Sequence, residues 1–177
     1  TIADRLKFKP EAGQQPVERF LGDLHRRMDS IKQHHLMLLH ELGVEQKGRP
    51  RAASKFPVEG VEVLSGGLLN FTSSEAILKR PELLIRIFDE SGRLKVPLSG
   101  EAKRLVKEFV YLVDPNYRSA PETVRAFERI LMASEAGLGL LDDLLSTGFL
   151  EAFLPEFRGI ANRIQYDEYH LYPVDRH

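Results

Sequence analysis

The chain has 177 residues, enough for one domain that buries about 70% of its unfolded surface. Its 25 basic and 26 acidic side chains leave a formal net charge of -1, so no overall field favours nucleic acid or a membrane surface. The lack of cysteine excludes disulfides, thiolate catalysis and cysteine-held zinc or iron–sulfur sites, and no apolar run approaches the ~20 residues that cross a bilayer. A cytoplasmic location is the expectation for such a chain. The opening "TIADRLKFKP" carries charges where a signal peptide needs an apolar block, and it lacks an initiator methionine, which suits an excised fragment.

Taken in chain order, the first strong signal is "PVERFLGDLHRRMDSIKQHHLMLLHELG". Val17, Phe20, Leu21, Leu24, Met28, Ile31, Leu38, Leu39 and Leu42 recur at steps of three and four, which predicts a long amphipathic helix near 16–42. Pro16 suits its first turn and Gly43 its left-handed stop. A loop near 45–57 follows, carrying Lys47, Arg49, Arg51 and Lys55, and reads better as a solvated connection than as a phosphate-contacting segment. "GVEVLSGGLLNF" predicts a small hairpin near 60–71 that turns on its glycines and must lie on helices to be stable.

Helices then resume up to 164. "TSSE" at Thr72–Glu75 reads as a capping box opening a short helix through Leu78. Pro81 starts another, with Leu83, Leu84, Ile87 and Phe88 on one face and a stop near Gly92. Ser99 is placed to cap a helix whose inner face carries Leu105, Val106, Phe109 and Leu112. Pro121 opens the next, with Val124, Phe127, Ile130 and Leu131 facing in. Ser134 and Gly148 bracket another helix, and the last run, "FLEAFLPEF", should break before Pro155. The expectation is an all-α fold of orthogonal or bundled helices, about seven of them, with one small β-hairpin.

Few local motifs carry chemistry. The glycines of "GLGLLDD" sit inside a helical pattern and read as close helix packing rather than a phosphate loop. His34 and His35, with His25 and His40 nearby, do not converge on one ion, because adjacent helical residues point apart. Asp142 and Asp143 diverge for the same reason and are expected in solvent. The terminal "QYDEYHLYPVDRH" differs: Asp167, His170, Asp175 and His177 are potential ligands that no apolar period explains.

That terminal stretch, with Leu154, Pro155 and Phe157 before it, resembles the segment leading into the HD phosphohydrolase domain of the bacterial bifunctional uridylyltransferase/uridylyl-removing enzymes. The matching positions are Gln165, Tyr166, Asp167, Tyr169, His170, Tyr172, Val174, Asp175 and His177. "QPVERFLGDLHRRMDSIKQHH", "RPELLIRIF" and "FERILMASEAGLGLLDDLLSTGFLEAFLPEF" resemble the helical region between the two catalytic domains of that family. Pro173 stands where the family usually has a small hydroxyl residue, and Arg176 where an acid is common, which marks a divergent member.

The resemblance implies a helical connecting domain over 1–164 and, over 165–177, the lead-in to an HD domain that this chain lacks. It implies no catalytic residue and no bound cofactor within the chain itself. His177 would be the first HD-type metal ligand, and only in the intact parent, which would use Mg or Mn. The implied partners are the flanking nucleotidyltransferase and HD domains and the PII signal protein of nitrogen regulation, with no nucleic acid and no membrane. Two other readings are a stand-alone helical protein-binding module derived from that family and the helical domain of a glutamine synthetase adenylyltransferase. The terminal segment argues against the second, which has no HD domain to lead into.

Overall fold

The computed structural model describes residues 2–11, 13–41, 57–133 and 136–160. Among them are nine α-helices and one antiparallel hairpin, the mostly helical architecture expected. The helices beyond the expected seven include Ile2–Arg5 and Pro115–Ser119, which are too short to show a sequence period. The chain divides into two compact units, Thr1–Leu38 with Leu154–His177, and Leu39–Phe153.

In the first unit, α1 (Ile2–Arg5) precedes the long α2 (Pro16–Glu41). The start of α2 is held by Glu18, whose carboxylate accepts from the Gln15 N–H at 2.7 Å and so satisfies a donor outside the helical ladder. Phe8 sets its ring edge-on to Phe20 at 5.7 Å. Arg19 fastens the intervening loop by donating to the Lys9 carbonyl at 2.6 Å and pairing with Glu11 at 2.7 Å. The long helix is where its period puts it, yet Leu24, Met28, Ile31 and Leu38 of its stripe are exposed. Gly43 and the basic loop residues Lys47, Arg49, Arg51 and Lys55 lie outside the described residues.

The second unit opens with the hairpin, β1 (Val61–Val63) against β2 (Leu69–Phe71), with Val61 opposite Phe71 and Val63 opposite Leu69. Val61, Leu69 and Phe71 are buried, so one face of the hairpin is core. A second connection anchors it: Leu69 N–H donates to the Pro97 carbonyl at 2.9 Å, and Ser99 N–H donates back to Leu69 at 2.8 Å.

The Ser99 hydroxyl both donates to Asn70 Oδ1 at 3.0 Å and accepts from Ala102 N–H at 2.9 Å, capping α5 (Gly100–Phe109) as its sequence position implies. The cap expected at Thr72 falls at Ser73 instead, which puts Ala76 rather than Glu75 at the third helical position, so no capping box forms. Ser73 caps α3 (Ser74–Lys79) by accepting from Ala76 N–H at 3.2 Å, because the Thr72 N–H is committed to Gly60 across the hairpin's base.

The centre of this unit is α4 (Leu83–Leu94), flanked by α7 (Pro121–Met132) and α8 (Ala136–Ser146), with α6 (Pro115–Ser119) and α9 (Phe149–Phe153) closing one end. Leu83, Leu84, Ile87 and Phe88 are buried as the period demands, and so is Ile85. Tyr117 turns its phenol oxygen onto the Ile85 N–H at 3.1 Å and supplies an acceptor to the first turn of α4. Burial pushes the Tyr117 phenol well above its ordinary range, so it stays protonated. Its ring meets Phe149 and Phe153 edge-on, and Phe149 packs on Phe88.

Three expectations are corrected here. α4 does not stop at Gly92; it continues to Leu94 and ends at Lys95, whose φ of 60° is left-handed. A Cβ on Gly92 would lie 3.1 Å from Leu140 Cδ1 and 3.8 Å from Ala133 Cβ, so this glycine serves the approach of neighbouring helices. Close packing expected of the "GLGLLDD" glycines fails at Gly139, where a Cβ would meet nothing within 4 Å. In α7 the buried face is Thr123, Ala126, Phe127 and Ile130, while Val124 and Leu131 point out. Thr123 holds that rotation by donating its hydroxyl to the carbonyls of Tyr117 at 2.5 Å and Ala120 at 2.8 Å.

Candidate functional site

The terminal residues Gln165, Tyr166, Asp167, His170, Tyr172, Asp175 and His177 lie outside the described residues. On α2, His34 Nδ1 lies 2.7 Å from the Ser30 carbonyl one turn back, and His35 is exposed. Among the described residues no three His, Asp or Glu side chains gather into a metal-holding group.

The expectation of two solvated aspartates in α8 holds for Asp142 and fails for Asp143. Asp143 is largely buried and pairs with Lys103 of α5 at 2.7 Å. Burial raises its carboxyl above its ordinary 3.8, and Lys103 opposes that shift. The folded chain therefore holds the proton more tightly than the unfolded chain, and stability falls as pH rises through the window just above 3.8. Asp143→Asn removes this linkage and leaves the other carboxylates in place. The native chain should gain stability relative to Asp143→Asn as pH is lowered from neutral towards 4, read by urea unfolding at each pH. A gap independent of pH would mean that Lys103 offsets the burial completely.

The most concentrated chemistry among the described residues lies between α4 and α7, in a groove of about 520 Å³. Its described polar walls are Arg86, Asp89, Glu90, Arg93, Lys95 and Arg129, and Ile130, Ala133 and Gly92 line it as well. The helical spacing of "IRIFDESGRLK" explains the α4 side: Arg86, Asp89, Glu90 and Arg93 fall three and four apart on one face. Asp89, 12% exposed, receives Arg129 of α7 through Nε at 3.0 Å and Nη2 at 2.5 Å, and lies 3.6 Å from Arg86. Glu90, 6% exposed, takes Arg93 in a two-pronged pair. Each buried carboxylate thus orients a guanidinium that is itself half open to water. Nothing in the sequence links Arg129 to Asp89, forty positions away; only the charge spacing within α4 hints at this face.

No protein-family model matches the chain, and no solved structure matches it. It is similar along its whole length to curated bifunctional uridylyltransferase/uridylyl-removing enzymes. Identity is 30% over 182 residues to that of Ruegeria pomeroyi, covering 99% of this chain. It is 27% over 185 residues to that of Azospirillum brasilense, covering 100%, and 26% over 179 residues to that of Methylococcus capsulatus, covering 99%. In each case the alignment takes in 20% of the relative, so the chain spans about a fifth of the length of the curated relatives it matches.

Proposed function

We propose, because this chain is homologous along its whole length to a segment of the bifunctional uridylyltransferase/uridylyl-removing enzymes, that it is a helical domain of such an enzyme. Its task is mechanical: it connects a nucleotidyltransferase domain to an HD-type hydrolase domain and carries regulatory signals between them. The observation that carries this reading is the pairing of complete coverage of the chain with one fifth of each relative. The helices of the second unit support it. The bidentate Arg129–Asp89 pair and the Tyr117 cap tie α4 to α6 and α7, which makes a stiff body suited to transmitting position.

In this reading the parent transfers UMP to a PII-type protein and removes it again, with a divalent metal, Mg or Mn, at its catalytic centres. Residues 1–164 form the connector, and Gln165, Tyr166, Asp167, His170, Tyr172 and Asp175 lead into the hydrolase domain. His177 supplies one imidazole to the hydrolase metal, and the remaining ligands come from that domain. The parent works in the cytoplasm. No described helix is long and apolar enough to cross a membrane, and the balanced charge gives nucleic acid no purchase.

The isolated chain should incorporate no UMP into PII when incubated with UTP and Mg, measured by mass spectrometry of PII, whereas the parent does so under the same conditions. Incorporation by the isolated chain would overturn the assignment. The stand-alone binding module draws support from exposed Leu131 and Met132 on α7, the latter 85% exposed. The parent's coding sequence separates the two readings. A His-Asp doublet downstream and paired-aspartate transferase motifs upstream support the connector; a stop codon soon after His177 supports the module.

A further inference from the structure

We propose that the groove between α4 and α7 is a binding site for the phosphate group of a small phosphorylated molecule, an assignment independent of the chain's place in a larger enzyme. Among the described residues that line it, four cations, Arg86, Arg93, Lys95 and Arg129, face two carboxylates, Asp89 and Glu90, an excess of positive charge in a chain whose overall balance is close to neutral. The carboxylates lie deeper than the cations: Asp89 is 12% and Glu90 6% exposed, against 49% for Arg129 and 35% for Arg86. A ligand entering the groove therefore meets the guanidinium edges first. Arg129 spends Nε and Nη2 on Asp89, and its Nη1 has no hydrogen-bond partner among the described residues. Planar donors fixed from behind by a buried carboxylate suit a tetrahedral oxyanion.

Lys95 supplies the second argument. It occupies the left-handed position that ends α4, with φ 60° and ψ 38°, where glycine is the residue of choice. A side chain there costs about 1 kcal/mol, and Lys95 recovers none of it through an ion pair with any described residue. Lys95 instead lines the groove. Local stability is given up at a position that adds a charge to the groove mouth. The volume, about 520 Å³, falls in the range of small-molecule sites and is too small for a folded partner.

The test is a phosphate titration of the full 177-residue chain at constant ionic strength, followed by amide chemical shifts. Inorganic phosphate should shift residues 86–95 and 129–133 saturably, whereas chloride should not. Lys95→Gln should weaken the binding about tenfold, the loss of one charge-assisted hydrogen bond. Arg104→Gln removes an equal charge from a surface pair with Glu101 and Glu108 outside the groove, and should leave the affinity unchanged. Lys95→Gly should raise the melting temperature and weaken phosphate binding together, a combination that damage to the fold does not produce. Methyl phosphate titrated alongside identifies the ligand class: tighter binding assigns a phosphate ester, equal binding the free ion. Equal shifts with chloride, or equal losses from Lys95→Gln and Arg104→Gln, would overturn the proposal by reducing the effect to charge screening.

Discussion

Replacing Phe149 with alanine should lower the stability of the Leu39–Phe153 unit by about 3–5 kcal/mol. The ring is fully buried and meets three others, Phe88 of α4 at 5.7 Å, Phe153 of α9 at 5.8 Å and Tyr117 of α6 at 6.2 Å. Removing it costs the transfer free energy of the lost atoms and leaves a cavity. The neighbours cannot collapse into that cavity easily. Tyr117 is held through its hydroxyl to Ile85 and through its carbonyl to Thr123, and Phe88 lies mid-helix in the most buried element. Urea unfolding should show a lower midpoint with an unchanged slope. Phe149→Leu keeps most of the volume and should cost less than about 1.5 kcal/mol. A loss below about 1 kcal/mol for the alanine variant would show that this aromatic cluster is not the organising core.

The second large effect belongs to Gly60, just before β1. Its φ of 94° is one that side chains rarely adopt, and a Cβ there would lie 2.6 Å from Leu83 Cδ1. Leu83 is buried at the start of α4, so Gly60→Ala combines backbone strain with overpacking against its side chain. The expected loss is roughly 2–4 kcal/mol. Gly148, between α8 and α9, separates the two causes. Its φ is 76°, but a Cβ would meet nothing within 4 Å. Gly148→Ala should therefore cost only the strain, about 1–2 kcal/mol. If both variants lose the same amount in thermal or urea unfolding, the contact between the hairpin and α4 is looser than described.

Residues that act through local period and chemistry were legible in the sequence. The steps of three and four in α2, α4 and α5, the Ser99 cap, the helix start at Pro121 and the stop before Pro155 all follow from neighbours within a few positions. The failures share a cause, competition from residues far away in sequence. In α7 the apolar Val124 and Leu131 outscore Thr123 and Ala126 by hydrophobicity, but the bonds of Thr123 to Tyr117 and Ala120 turn the buried face towards Thr123 and Ala126 while Phe127 and Ile130 stay in it. Gly92 has the composition of a helix stop, yet Leu140, 48 positions on, claims its empty side, and the left-handed role passes to Lys95. Asp143 looks like a surface acid until Lys103 of another helix covers it. The α4–α7 groove was invisible for the same reason, since its best pair spans forty residues. The terminal segment from Gln165 to His177 drew its meaning only from the family resemblance, because polar clusters without a period carry no structural signal of their own.

The most direct test of the connector role uses Phe149→Ala, with Phe149→Leu as the milder variant, in the full-length parent. Amide hydrogen exchange across residues 83–153 would be followed together with the rates of UMP transfer to PII and of UMP removal. A connector that positions both sites predicts that faster exchange is accompanied by loss of effector control over both rates. Faster exchange with both rates and their control unchanged would contradict the account and leave the helical domain as a passive tether.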